Sequence, residues 1–172
     1  MFILVLRFVG YQDTLWDANG RHYFYRCYIE GATDFISRDG QSVYQNALIR
    51  SSHPGFITAQ AREFPDDAGG FVFIGGYVLG SGPTYLGRAW RPYSRVIFRK
   101  TYFADIIAPL GWNAWLYPGH ERNFTYVEVD CRGPGAKTTG RVTWMKNLTV
   151  TEMKNFRTST FIDQEGWITK HP

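Results

Sequence analysis

The sequence is poor in cysteine. Only Cys27 and Cys131 occur among 172 residues, so no disulfide framework holds this fold together. The two either bridge one another or stay as unpaired thiols. Long apolar runs are also missing: no stretch approaches the roughly 20 residues needed to span a bilayer. The opening segment, Met1 to Val9, offers no basic start, no extended apolar region and no small-residue cleavage site in order. It therefore reads as a buried strand rather than a signal peptide. Lys and Arg are nowhere gathered into a run dense enough for a nucleic-acid patch. His22, His53, His120 and His171 are scattered, and no His/Cys set has metal-ligand spacing. No G-x-S-x-G elbow is present, which counts against a serine hydrolase.

What remains is the composition of a folded chain. Hydrophobic residues make up 44% and charged residues 20%, which is enough apolar content to order the backbone. No linker divides the chain, so residues 1–172 read as a single domain with a sizeable core. Aromatics reach 17%, a level that fits either a core or a sugar-binding surface. The formal charge is +4, which favours approach to a polyanion. With no dense basic run, nucleic acid and membrane surfaces are disfavoured as partners, and an acidic polysaccharide is left.

Short β-rich runs separated by Gly, Asn, Asp and Pro dominate the chain. Strand cores can be centred near Val9, Ile29, Leu48, Phe73, Ile97 and Val127, at intervals of 20, 19, 25, 24 and 30 residues. Such a period fits a solenoid of stacked turns; an antiparallel sandwich is the competing reading. One helix signal stands out. Thr149-Val150-Thr151-Glu152 fits a capping box, with Met153 and Phe156 three apart on one face. Downstream, Phe161 to Ile168 is apolar enough to dock back onto the body.

Three local patterns carry candidate chemistry: Gly10-Tyr11-Gln12-Asp13-Thr14-Leu15, Gly31-Ala32-Thr33-Asp34-Phe35-Ile36 and Leu86-Gly87-Arg88-Ala89-Trp90. Asp13 and Asp34 are 21 residues apart, close to one inferred turn of chain. In a stacked solenoid that spacing puts two carboxylates on neighbouring rungs, about 4.7–4.9 Å apart. Such a pair tends to split its pKa values, which suits acid–base and nucleophilic work. Against this stands the plain fact that Asp is common in turns.

Together the three segments resemble the pectin methylesterase (pectinesterase) family, most closely its plant branch. The likeness runs on through Ile57-Thr58-Ala59-Gln60, Tyr93-Ser94-Arg95, Gly111-Trp112-Asn113-Ala114-Trp115, Gly133-Pro134-Gly135 and Phe161-Ile162-Asp163. The resemblance implies an all-β, right-handed parallel β-helix with a short C-terminal helix. It implies hydrolysis of pectin methyl esters with no cofactor and no metal, in the secreted, cell-wall setting of the family. Methyl-esterified pectin is the implied partner, together with a proteinaceous pectinesterase inhibitor. By position, Asp34 matches the nucleophile, Asp13 the general acid and base, and Gln12 an oxyanion donor. Arg88 matches the arginine that orients the nucleophile. Trp90 and Trp112 resemble aromatics lining the sugar cleft, although both also suit a core.

Two departures qualify the match. Only nine residues precede Gly10, so the resemblance predicts a β-helix without its N-terminal coils and without a second oxyanion glutamine. A catalytically impaired fragment, or a pectin-binding relative without turnover, is the alternative function. Second, the family usually continues Asp-Phe-Ile-Phe-Gly-Asn, whereas Ser37-Arg38-Asp39-Gly40 follows Phe35-Ile36 here. Arg38 either pairs with Asp39 or acts on Asp34 and its turn. Two other pectin-acting classes are weaker. A lyase would want an acidic calcium cluster, and a glycosidase would need two carboxylates flanking a glycosidic bond.

Overall fold

The computed structural model describes residues 1–170, with nothing to say of the Phe2 side chain. Every strand pair in it is parallel. The first sheet stacks Phe2–Leu4, Arg21–Tyr25, Gln41–Gln45, Gly70–Ile74, Arg95–Arg99 and Thr125–Val129 in sequence order. The second is built around two long strands, Tyr28–Arg38 and Leu48–Gln60. Both bend, with register shifts at Gly31/Thr33 and Thr33/Ile36. Their first halves pair with Arg7–Val9 and Tyr77–Gly80, and their second halves with Leu15–Trp16 and Tyr85–Arg88. The chain is a parallel β-helix, as the resemblance implied.

Each coil leaves the first sheet through a two-residue corner. Val5, Arg26, Asn46, Gly75, Lys100 and Asp130 occupy equivalent places there, all left-handed, with φ between 50° and 68°. The N–H groups of the first five donate to the carbonyl one coil further on at 2.8–3.0 Å. The ladder thus satisfies backbone groups that a turn would otherwise strand.

Inside, aromatic side chains stack in register. Phe24, Tyr44, Phe73 and Phe98 face one another with ring centroids 4.7, 4.6 and 4.3 Å apart, and this column absorbs much of the aromatic content. Glu128 is next in register after Phe98. Its carboxylate accepts Arg141 Nε at 2.7 Å and Trp112 Nε1 at 3.1 Å. On the outer face of the first sheet, Tyr23, Val43, Val72, Ile97 and Val127 form a second apolar strip. Met153, Phe161 and Ile162 cover it. Strands such as Gly70–Ile74 are therefore buried on both faces, which is why they read as continuous apolar runs.

The capping box is present: Thr149 and Glu152 exchange both bonds ahead of the helix Val150–Met153, which passes into a single 3-10 turn, Lys154–Phe156. Two expectations need correction. The N-terminal segment is two short strands rather than one, and Leu4, Val5, Leu6 and Val9 are exposed, because Phe2–Leu4 and Arg7–Val9 each pair on one side only. The strand centres also mix two sheets: Val9, Ile29 and Leu48 lie in the second, and Phe73, Ile97 and Val127 in the first. Cys27 and Cys131 are free thiols. Among the described residues no helix is long and apolar enough to cross a membrane.

Candidate active site

The bend in the second sheet creates the site. Gln12 forms a parallel bridge with Thr33, and the Asp13 N–H donates to the Thr33 carbonyl at 3.3 Å. Asp13 and Asp34 therefore occupy neighbouring rungs at the same point of the coil. Both adopt left-handed backbone, with φ of 50° and 51°, a conformation Asp tolerates better than most residues. It turns each carboxylate out of the strand pattern.

Asp34 is buried and meets Arg88 two rungs on. Arg88 Nε donates to Asp34 Oδ1 at 2.8 Å, and Nη2 donates to Oδ2. This two-pronged contact fixes the carboxylate plane. The guanidinium is itself held by aromatic faces: Trp115 at 3.7 Å, Phe56 at 4.6 Å and Trp90 at 5.9 Å from its carbon. Burial pushes the Asp34 carboxyl above the ordinary Asp value, the Arg88 hydrogen bonds and charge pull it back, and the Asp13 charge raises it. Arg88 is thus the cation that favours the ionised form of Asp34 against burial.

A cleft of about 230 Å³ opens over this pair. Gln12, Asp13, Asp34, Arg88 and Trp90 line it, as do Trp16, Ser37, Arg38 and Ala59. Among the described residues no group of three or more His, Cys, Asp or Glu side chains could hold a metal ion. His22 Nδ1 sits 2.5 Å from Asp17 Oδ1, which ties it into the fold. His53 and His120 are exposed, and His171 lies outside the described residues.

The family model for pectinesterase matches residues 2–165. The chain belongs to the pectinesterase family. Probable pectinesterase 55 of Arabidopsis thaliana is 48% identical over 172 residues, covering 96% of this chain and 52% of that protein. The pectin methylesterase from carrot superposes with a TM-score of 0.90 at 30% identity, covering 95% of this chain and 57% of the other. An Aspergillus niger pectin methylesterase gives a TM-score of 0.82 at 30% identity, covering 92% and 52% respectively. The chain thus spans about half the length of the relatives it matches.

Five of the six residues singled out from the sequence converge on the cleft: Gln12, Asp13, Asp34, Arg88 and Trp90. Trp112 does not. It is 1% exposed, stacks on Tyr126 at 4.4 Å and bonds Glu128. It is a core residue rather than a cleft wall. The aromatic beside the site is Trp115, whose φ of 54° carries it out of the strand Trp112–Asn113 and over Arg88. Trp16, Ser37 and Phe56 were also missed. The sequence signal for Trp16 and Ser37 is register alone: they pair with each other and fall on the same rung position as Arg88.

Proposed function

We propose that this chain hydrolyses the methyl esters of pectin through Asp34 and Asp13. One observation carries the reading: a buried aspartate, bound in two-pronged fashion by an arginine, shares an open cleft with a second aspartate one rung away. An Asp34 oxygen adds to the carbonyl carbon of a galacturonate methyl ester, and the carbonyl electron pair moves onto oxygen. The Gln12 amide is the donor available to that oxyanion. When the intermediate collapses, the C–OCH₃ bond breaks and Asp13 protonates the leaving oxygen to give methanol. The sugar is then held on Asp34 as an anhydride. Water adds to the same carbon, Asp13 takes its proton, and the bond to Asp34 breaks. The products are methanol and a galacturonic acid unit, which releases its proton to solvent to become the carboxylate, and both aspartates return to their starting state.

Arg88 serves this cycle by holding Asp34 charged and oriented between turnovers. Burial makes the Asp34 carboxylate a poorer leaving group from the anhydride than an ordinary Asp, and the Arg88 hydrogen bonds and charge oppose that effect in part. Methyl-esterified pectin as substrate, a proteinaceous inhibitor as partner and a secreted, cell-wall location belong to the same proposal and rest on family membership.

Methanol release from esterified pectin, compared between wild type and Asp34→Asn, tests it. The expected result is release by wild type and a fall of about 10⁴-fold or more in the variant. Pectin binding without methanol from wild type would instead establish the non-hydrolytic, pectin-binding alternative.

A further inference from the structure

Away from the catalytic cleft, Arg62, Arg95 and Lys146 gather close enough to act on one another's charge, and among the described residues none of them forms an ion pair. Arg95 opens the strand Arg95–Arg99. Its side chain runs across Gly70, where a β-carbon would lie 2.7 Å from Arg95 Cδ, so the glycine keeps that path open. Arg95 Nη1 donates to the Ala68 and Gly69 carbonyls at 3.3 and 3.2 Å. Its Nε is enclosed and can meet no ligand; Nη2 also lacks a protein partner but is not enclosed. Arg62 is 5% exposed and gives its N–H groups to the Asp67, Tyr93 and Pro65 carbonyls. Lys146 is half-buried, and its ammonium group bonds to nothing among the described residues.

Charge withdrawn from water is ordinarily paired. Burial lowers the Lys146 ammonium, and the Arg62 and Arg95 charges lower it further. Two carboxylates stand in the neighbourhood, and both are engaged elsewhere. Asp67 Oδ2 accepts the Glu63 and Phe64 N–H groups at 3.2 and 2.9 Å. Glu152 Oε2 accepts the Thr149 N–H and hydroxyl at 2.7 and 2.8 Å. The cluster is left short of an anion.

A cavity of about 470 Å³ opens against it and shares no residue with the catalytic cleft. The sheet supplies Arg95 and Thr125, the following loop Lys146 and Asn147, and the C-terminal turn Asn155 and Phe156. The Thr125 hydroxyl and the Asn147 and Asn155 carboxamides make no hydrogen bond within the protein among the described residues, and none is enclosed. Phe156 adds an aromatic ring, 5.7 Å from the Arg95 guanidinium carbon. Two cations, two amides, a hydroxyl and a ring are the complement of a sugar acid.

We infer that this cavity is a second uronic-acid site, with Arg95 and Lys146 taking the carboxylate and Thr125, Asn147 and Asn155 the ring hydroxyls. The inference deepens the pectin reading above and rests on it for the identity of the ligand. A de-esterified stretch of polysaccharide held here keeps the protein on its substrate while the catalytic cleft lets go, the advantage of two linked contacts over one.

Nuclear magnetic resonance titration with D-galacturonate tests it, with inorganic phosphate in parallel as an anion that lacks the ring. Wild type is compared with Lys146→Gln and Asn155→Ala. Neither side chain bonds within the protein, so both variants should keep the wild-type unfolding midpoint. Wild type is expected to show saturable shifts at the amides of Thr125, Lys146, Asn147 and Asn155. Lys146→Gln weakens that binding about tenfold, the scale of one charge-assisted hydrogen bond. Asn155→Ala weakens galacturonate by a smaller factor and leaves phosphate unchanged. Absence of saturable shifts at these residues, unchanged affinity in Lys146→Gln, or phosphate bound as tightly as galacturonate overturns the inference. Methanol release from a short esterified oligomer is scored separately and should be the same in all three proteins. A wild type that saturates this cavity but releases no methanol sinks the esterase reading and leaves the second site standing.

Discussion

Removing Arg88 should destabilise the protein by an amount that depends on pH. Asp34 is 2% exposed in the native fold, and in Arg88→Ala it loses two charge-assisted hydrogen bonds. Stranding one partner of a buried ion pair costs about 3–5 kcal/mol. The contact of the guanidinium with Trp115 at 3.7 Å accounts for about 1 kcal/mol of further loss. The carboxyl has one escape, which is to take up a proton. Its pKa in the fold is already raised by burial, and Arg88 is the main influence lowering it, so the variant raises it further. For a group raised in this way, the proton-linked stability is full below the unfolded value and is lost as pH climbs through the folded value. The deficit of Arg88→Ala is therefore small in acid and full at neutral pH. Urea unfolding at about pH 4.5 and about pH 7.5 measures both. The double variant Arg88→Ala/Asp34→Asn should recover all but about 1–2 kcal/mol at neutral pH, since a neutral amide needs no cation. An equal loss at the two pH values, or no recovery in the double variant, would refute the claim that Arg88 acts by holding a buried charge. By the same logic the acid limb of methanol release moves to higher pH in Arg88→Ala.

Three further outcomes are expected. Gln12→Ala should lower methanol release about 10²–10³-fold with little change in pectin affinity; a drop in affinity alone would make Gln12 a binding residue instead. Phe73→Ala opens the aromatic column between Tyr44 and Phe98, whose rings lie 4.6 and 4.3 Å away, and should cost about 3–5 kcal/mol in urea unfolding. Burial pushes the Cys131 thiol up to about 11 and raises that of Cys27, so both should alkylate slowly in the native state. In denaturant without reductant each should react fully, and a mass lacking both adducts would reveal a disulfide.

The chemistry of the site was more legible in the sequence than its walls. Asp13 and Asp34 could be placed together because 21 residues is also the length of the coil between them, as the pairing of Gln12 with Thr33 shows. Arg88 followed from its motif. Trp112 misled because a ring on a strand can face either way, and flanking residues did not say which. The structure places it inside, 1% exposed; a β-carbon on Gly87 would lie 2.2 Å from Thr58 Oγ1 and 3.2 Å from the Trp112 ring, so the glycine leaves room for both. Trp115 was invisible for a different reason, since nothing in its neighbours announces a left-handed backbone. Coil spacing was blurred because each coil contributes strands to both sheets, so a single series of centres slid from one sheet to the other between Leu48 and Phe73.

The left-handed corner acts as a mile-marker that the chain must revisit on every lap. Residues 5, 26, 46, 75, 100 and 130 mark those visits, and the laps vary from 20 to 30 residues, yet the marker never lengthens. All the slack is taken up elsewhere, chiefly in 61–69 and 104–124. Grafted segments of many residues belong in those excursions. One extra residue wedged at a marker would throw the whole downstream stack out of step.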